Sequence, residues 1–160
     1  MSHTVYLSAG TNLGDREANL QEAIASLNSH GAVVRKVSSI YETEPVGFRS
    51  QPWFLNMALE LATDLSPLEL IDICQEVEQV HGRLRTFANA PRSLDLDILL
   101  YDDLVVDTSR LTIPHPRMTQ RRFVLVPLAE LAPDVLHPIL GESISSLLAV
   151  CPDTSQVRRY

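Results

Sequence analysis

The stretch that most constrains this chain is Leu94-Asp95-Leu96-Asp97-Ile98-Leu99-Leu100-Tyr101. Large apolar residues fill its even positions, the period of a strand with one face in a core. Asp95 and Asp97 stand two apart and therefore share the other face. A fold that accepts this strand needs a packed layer on one side. On the other it needs surroundings that tolerate two neighbouring carboxylates. At two residues' separation the Cα atoms are about 7 Å apart, so both side chains can reach one cation. Bare carboxylates that close repel, and one would tend to take up a proton. A hard divalent ion relieves the repulsion, and Mg²⁺ typically takes one or two carboxylates, with waters and phosphate oxygens in the remaining positions. A solvated outer face is the other reading of a bare D-x-D, so the surrounding residues decide between them.

Those residues are basic. Arg83, Arg85 and Arg92 precede the strand, and Arg110, His115, Arg117, Arg121 and Arg122 follow it. The formal net charge of −7 argues against a general nucleic-acid binder, which needs a basic footprint. An acidic chain that gathers arginines beside a carboxylate pair suits a multiply charged anion, because the planar guanidinium fork matches phosphate oxygens. Phosphate held between metal and guanidinium is what phosphoryl transfer demands. The usual backbone cradles are missing: no G-x-x-x-x-G-K-[ST] occurs, and Gly10 and Gly14 lack the G-x-G-x-x-G spacing. Any nucleotide must be gripped by side chains.

The order of elements follows from local signals. Residues 4–9 read as a first strand that ends in a turn at Gly10-Thr11-Asn12-Leu13-Gly14. Asp15 can cap a helix whose Leu20, Ala23, Ile24 and Leu27 form one apolar stripe, and Gly31 stops it. Residues 32–41 read as a second strand. Residues 44–52, with two prolines and a glycine, form an irregular loop. The third strand spans 53–61, with large apolar residues at its odd positions. Ser66-Pro67-Leu68-Glu69 is a capping box with proline at the first helical position, opening a helix with Leu70, Ile71, Cys74, Val77 and His81 inward and Gly82 at its end. The strand 94–101 comes next, and further helices are expected over 123–131 and 144–150. The pattern is β-α-β-β-α-β, the split arrangement of a ferredoxin-like α+β fold with a mainly antiparallel sheet, helices on one face and a C-terminal extension with short helices. Residues 1–160 are expected to form one domain. Cys74 and Cys151 lie far apart among apolar neighbours, as buried free thiols do in a reducing cytoplasm. With no apolar run of membrane-spanning length and no leader, the expectation is a cytoplasmic protein.

On the third strand Phe54 and Asn56 share a face, offering a stacking surface beside an amide that both donates and accepts. This suits a flat nitrogen heterocycle, although packing with a satisfied amide also accounts for such a pair. The composite is specific. Pro91-Arg92-Ser93-Leu94-Asp95-Leu96-Asp97-Ile98 resembles the P-R-[ST]-L-D-L-D-[IL] signature of the 6-hydroxymethyl-7,8-dihydropterin pyrophosphokinase family. Gly10-Thr11-Asn12-Leu13-Gly14-Asp15 is similar to the family's G-[ST]-N-L-G-[DN] turn. Tyr41-Glu42-Thr43-Glu44-Pro45-Val46-Gly47, Gln51-Pro52 and Phe54-Leu55-Asn56 resemble its pterin-binding region. Ile113-Pro114-His115-Pro116-Arg117-Met118 and Arg121-Arg122-Phe123-Val124-Leu125-Val126-Pro127-Leu128 resemble its later blocks.

The resemblance implies transfer of the β,γ-pyrophosphoryl group of ATP to the hydroxymethyl oxygen of the reduced pterin, with AMP leaving, in folate biosynthesis. It implies two Mg²⁺ ions on Asp95 and Asp97, and pterin contacts from Thr43, Val46 (through its backbone) and Asn56. Phe54 and Phe123 would stack on the two pterin faces. Arg83, Arg92, His115 and Arg121 would bind phosphates or support the leaving group. Gln75, Glu78, Ile98, Arg110 and Thr112 would lie around the ATP. ATP and pterin would be the only partners of a monomer that meets neither nucleic acid nor membrane.

The chain also departs from the commoner family pattern. Asn89-Ala90 replace Trp-Gly before Pro91, leaving Phe87 as the only aromatic residue of that loop. Phe54 lacks the hydroxyl of a tyrosine, and Asp102 stands where glycine is frequent. The loops 44–52 and 83–92 are expected to close over both substrates. Two rival classes remain at this point. A non-catalytic ligand-binding module leaves the aspartates idle, and a metal-dependent phosphohydrolase leaves the stacking face unused.

Overall fold

The computed structural model describes residues 2–47, 49–80 and 94–160. His81, Gly82, Arg83, Arg85, Phe87, Asn89, Ala90 and Arg92, all singled out above, lie outside the described residues.

The central sheet is antiparallel at every described pairing, in the order β5 (Asp95–Tyr101), β1 (His3–Thr11), β4 (Phe54–Thr63), β3 (Tyr41–Thr43) and β8 (Val157–Arg159). A further strand, β2 (Ala32–Val37), pairs with the far half of β4. Two short strands, β6 (Val106–Asp107) and β7 (Thr112–Ile113), pair with each other beside it. On one face lie α1 (Arg16–Ser29) and α2 (Pro67–Val80), and Leu20, Ala23, Leu27, Leu70, Cys74 and Val77 meet the inward residues of β1, β4 and β5. Each large apolar side chain fully buried there contributes about 1.5–3 kcal/mol.

Local chemistry sets the helix ends as expected. The Asp15 carboxylate accepts the Ala18 N–H at 3.1 Å, and Gly31 takes φ +86° just past α1. At α2 the box closes reciprocally: Glu69 N–H donates to Ser66 Oγ at 3.2 Å, and Ser66 N–H donates to Glu69 Oε1 at 2.9 Å.

Four features differ from the sequence-based expectation. Residues 32–41 form two strands rather than one. Ser38 interrupts them, its hydroxyl accepting the Ala58 N–H at 2.9 Å, while the Glu130 carboxylate takes the Ser39 N–H at 2.7 Å. These side-chain bonds replace ladder bonds. Strand β1 runs past Ala9 to Thr11, so Gly10 is a strand residue rather than a turn. Helices cover both faces of the sheet: α3 (Arg122–Leu131) and α4 (Ile144–Ala149) bury Tyr6, Ala58, Leu99 and Leu100 on the face opposite α1 and α2. Finally, a bulge in the β1–β5 pairing, between Tyr6/Leu100 and Leu7/Ile98, breaks the alternation of β5. Leu94, Leu96 and Ile98 face α1 and α2, but Leu100 joins Leu99 under α3, and Tyr101 returns to the first core. The extra residue of a bulge reverses the side-chain phase beyond it.

Asp102, which follows β5, takes φ +48°. Its Oδ1 accepts the Thr4 N–H of β1 at 2.8 Å, a long-range bond that helps an aspartate hold a conformation usually left to glycine.

Candidate active site

The face covered by α3 and α4 is not covered along its whole length. Its uncovered end is ordered by the strand register. Asp95 lies opposite Gly10, which lies opposite Asn56; Asp97 lies opposite Ser8, which lies opposite Ala58. Directly opposite residues share a face, so the two aspartates and Asn56 flank a floor of Gly10 and Ser8. Thr43 pairs with Phe54 at the outer edge of the same face.

Above this floor is a cleft of about 390 Å³, to which β1, β3, β4, β5, the segment 115–121 and the first turn of α3 all contribute. It brings together nine of the expected site residues: Asp95, Asp97, His115 and Arg121, with Thr43, Val46, Phe54, Asn56 and Phe123. A groove of about 240 Å³ adjoins it, with Asp97 and His115 in both walls, and holds Ile98, Arg110 and Thr112. Gln75 stands beside that groove, its Oε1 accepting Arg110 Nη2 at 3.2 Å, and Arg110 also pairs with Asp72. Glu78 is buried under β5, where its carboxylate accepts the Leu96 N–H at 2.8 Å between the two aspartates.

The amide of Asn56 is fixed. Its Nδ2 donates to Thr43 Oγ1 at 2.7 Å, and both side chains are buried. Its Oδ1 lies where only glycine can stand opposite: a Cβ on Gly10 would be 2.4 Å from that oxygen. The glycine is therefore required by close approach rather than by a turn. Asn12, also buried, donates from Nδ2 to Gln51 Oε1 and to the Pro52 carbonyl, both at 2.9 Å, tying the end of β1 to the end of the loop 44–52.

His115 is held by the chain around it. Its N–H donates to the Leu99 carbonyl at 3.0 Å, and its Nδ1 accepts the Arg117 N–H at 3.2 Å. In the neutral ring the proton therefore sits on Nε2, which becomes a donor. Burial, followed by the charges of Arg121 and Arg117, pushes the imidazole down to about 4, with Asp95 opposing. Burial likewise lowers Arg121, and Asp97 and Asp95 offset part of that effect. Its guanidinium stands 5.5 Å from the Phe123 ring centroid, a cation–π distance. Chemically, one end of the cleft offers hard oxygens, guanidinium groups and an imidazole N–H. The other end offers two aromatic rings and a fixed carboxamide.

Five lining residues were outside the expected site: Ser8, Gly10, Glu44, Pro116 and Arg117. Arg117 belongs to the basic cluster seen in the sequence, which was a usable signal. Glu44 and Pro116 lay inside stretches likened to the family without a role of their own, and Ser8 carries no sequence signal, since only strand register brings it in.

A sequence model of the family described as 7,8-dihydro-6-hydroxymethylpterin-pyrophosphokinase (HPPK) matches residues 6–133. The chain belongs to this family. All the described cleft residues of this pyrophosphokinase-family chain fall inside the matched span. It is 50% identical over 136 residues to the 2-amino-4-hydroxy-6-hydroxymethyldihydropteridine pyrophosphokinase of Bacillus subtilis, covering 84% of this chain and 81% of that protein. It is 40% identical over 153 residues to the protein of the same name from Pseudomonas aeruginosa, covering 95% and 94%. Among solved structures, a Plasmodium falciparum HPPK-DHPS with pteroate matches with a TM-score of 0.75 at 16% identity, which shows the shared fold. That match covers 93% of this chain and 42% of that one, so the present chain spans less than half of that longer protein.

Proposed function

We propose that this protein transfers pyrophosphate from ATP to the hydroxymethyl group of 6-hydroxymethyl-7,8-dihydropterin, releasing AMP, as an Mg²⁺-dependent step of folate biosynthesis. The observation that carries the proposal is the union, in one cleft, of a carboxylate pair beside cationic groups with an aromatic and amide end. A hydrolase has no use for the second end, and a simple binding module has none for the first.

In this reading Thr43 and Asn56 hydrogen-bond the pterin edge with the Val46 backbone, while Phe54 and Phe123 stack on its faces. Their task is to bring the hydroxymethyl oxygen in line with the β-phosphorus. That oxygen forms the new bond to the β-phosphorus, and the bond from the β-phosphorus to the α,β-bridging oxygen breaks. AMP keeps the bridging oxygen, and the hydroxyl proton is released. His115 donates from Nε2 to a phosphate oxygen, and Arg121 places a fixed positive charge beside the transferring group. Arg83 and Arg92 are assigned the same work by their sequence positions. Ile98, Arg110 and Thr112, with Gln75 and Glu78 behind them, shape the nucleotide side.

Asp95 and Asp97 would hold the metal, a donor set of hard oxygens that suits Mg²⁺. Among the described residues no group of three His, Cys, Asp or Glu gathers to hold a metal ion, so a cation on the two aspartates would have to take its other oxygens from phosphate and water. When bound, two such ions supply neutralisation of the triphosphate charge. We read the chain as one domain over 1–160, a monomer of the cytoplasm with a ferredoxin-like core. Among the described residues no helix is long and apolar enough to cross a membrane.

Mn²⁺ added with a non-hydrolysable ATP analogue should broaden the backbone resonances of residues 95–98 and 8–10 and leave α1 and β2 sharp. Subsequent pterin should shift Thr43 and Asn56. Broadening centred elsewhere would contradict the assignment.

A further inference from the structure

Strand β3 lines the cleft with Thr43, followed by Glu44, and turns a charged side chain to its other face. That side chain is Glu42, one residue out of phase with Thr43. Its two oxygens are divided between different parts of the molecule. Oε2 accepts Arg16 Nη1 from α1 at 3.0 Å, and Oε1 accepts Arg158 Nη2 from β8 at 2.8 Å. Both arginines also reach the residue that leads into β4. Arg16 Nη1 donates to the Trp53 carbonyl at 3.0 Å, and the Arg158 guanidinium stands 4.8 Å from the Trp53 ring centroid. Phe54, the next residue, is a wall of the cleft.

Strand β8 completes the support. Thr43 pairs with Val157 and Glu42 with Arg158. Beyond the strand, Glu44 N–H donates to the Gln156 carbonyl at 3.1 Å, and Gln156 N–H donates to Glu44 Oε1 at 2.9 Å. β3 has only three residues, too few to fix its own position without partners on both edges. The Glu42 carboxylate is four-fifths buried. Its charge is secured by Arg158 and then Arg16, which hold its carboxyl below the usual carboxylate range. Besides the backbone pairing of β3 with β4 and β8, the segment bearing Thr43 and the segment bearing Phe54 are thus tied behind the sheet through one carboxylate and its two arginines. The outer partner, β8, lies beyond the span 6–133 that defines the family match.

We infer that Glu42 is a positioning residue for the aromatic and amide end of the cleft, with Arg158 as its outer partner, setting affinity for the heterocyclic substrate without touching it. The inference rests on the assignment of that end to the pterin. Glu42 stands apart from Asp95 and Asp97, so its loss should act on one substrate only.

The test is steady-state kinetics of AMP formation for the full chain with Mg²⁺, varying each substrate in turn, alongside thermal unfolding. Glu42→Ala should raise KM for 6-hydroxymethyl-7,8-dihydropterin about tenfold and leave KM for ATP within about twofold, the signature of a change confined to one subsite. Arg158→Ala, which removes a more exposed partner, should raise the pterin KM about threefold, and Arg158→Lys should restore part of it, because the ammonium still pairs with Glu42 but lacks the planar guanidinium that sits over Trp53. An unchanged pterin KM in Glu42→Ala would overturn the inference. So would parallel rises in both KM values tracking a lowered Tm, which would mark Glu42 as a general structural residue. A wild-type protein that forms no AMP with the pterin would remove the reading of the cleft and this inference with it, whereas active wild type with an indifferent Glu42→Ala removes the inference alone.

Discussion

The two ends of one sheet face use the same strands in opposite ways. At the covered end, Tyr6, Ala58, Leu99 and Leu100 meet Val124, Leu125 and Leu128 of α3 in a closed apolar cluster. At the open end the same strands present Ser8, Gly10, Asn56, Asp95 and Asp97. The β1–β4 pairing runs continuously through both ends, and β1 pairs with β5 on either side of the bulge that separates them, so the presence of a ladder does not distinguish the two ends. Side-chain size and polarity do. The bulge in β5 sharpens the boundary by sending Leu100 under the helix, and α3 starts where the polar rows begin, with Phe123 in its first turn at the cleft. Stability is concentrated where the helix excludes water. Chemistry is placed beyond the helix's first turn, where its cover ends.

The comparison breaks if the open end matters for folding or the covered end for chemistry. Asp97→Ala should lower turnover by about 10²–10³-fold, the scale of losing one charge-stabilising group in an active site. It should leave Tm close to the parent value, because relief of the repulsion with Asp95 is offset by the lost attraction to Arg121. Near-normal turnover at ordinary Mg²⁺ would remove the metal assignment. Leu128→Ala should do the reverse. Leu128 is fully buried under α3, and the truncation should cost about 2–5 kcal/mol in denaturant unfolding. Turnover per folded molecule should stay close to the parent, and a kinetic loss as large as that of Asp97→Ala would refute the division. Gly10→Ala should be milder: its Cβ must displace the Asn56 carboxamide, raising the pterin KM by about tenfold with little change for ATP.

How much of this was legible follows from the range of each signal. The capping box, the Asp15 cap and the phase of residues 94–98 are local, and the structure keeps all of them. The convergence of Asp95, Asp97, His115 and Arg121 was readable as a charge pattern, the shared face of Phe54 and Asn56 as a strand pattern, and the pterin contacts proposed for Thr43, Val46 and Phe123 came through likeness to the family. The bulge was not readable, because Ile98 and Leu100 look alike as large apolar residues until α3 supplies a second apolar layer. For the same reason 123–131 was legible as a helix but its place on the far face was not. Gly10 carried a turn signal, yet its reason is a carboxamide supplied by another strand. Ser38 and Ser39 sit in a valine-rich run and gave no sign that Ala58 and Glu130 would take their hydrogen bonds.

The smallest effect concerns His115. The unfolded imidazole takes the ordinary value of 6.5 and the folded one about 4, so between these values the unfolded chain binds more protons. The stability that the neutral ring contributes is complete above 6.5 and is lost as pH falls towards 4. An NMR titration of the free protein should find the His115 midpoint near 4, moving upward in Arg121→Ala as one repelling charge is removed. A midpoint near 6.5 in both proteins would show that this end of the cleft is neither as dry nor as positively charged as the structure requires.

The central claim is that the open end of the face performs pyrophosphoryl transfer between two bound substrates. It is tested most directly by mixing the protein with Mg²⁺, ATP and 6-hydroxymethyl-7,8-dihydropterin and resolving the nucleotide products. The account predicts AMP that forms only with the pterin present and in equal amount to pterin diphosphate, with no ADP. Formation of ADP, release of phosphate without the pterin, or binding of both substrates without turnover would contradict it.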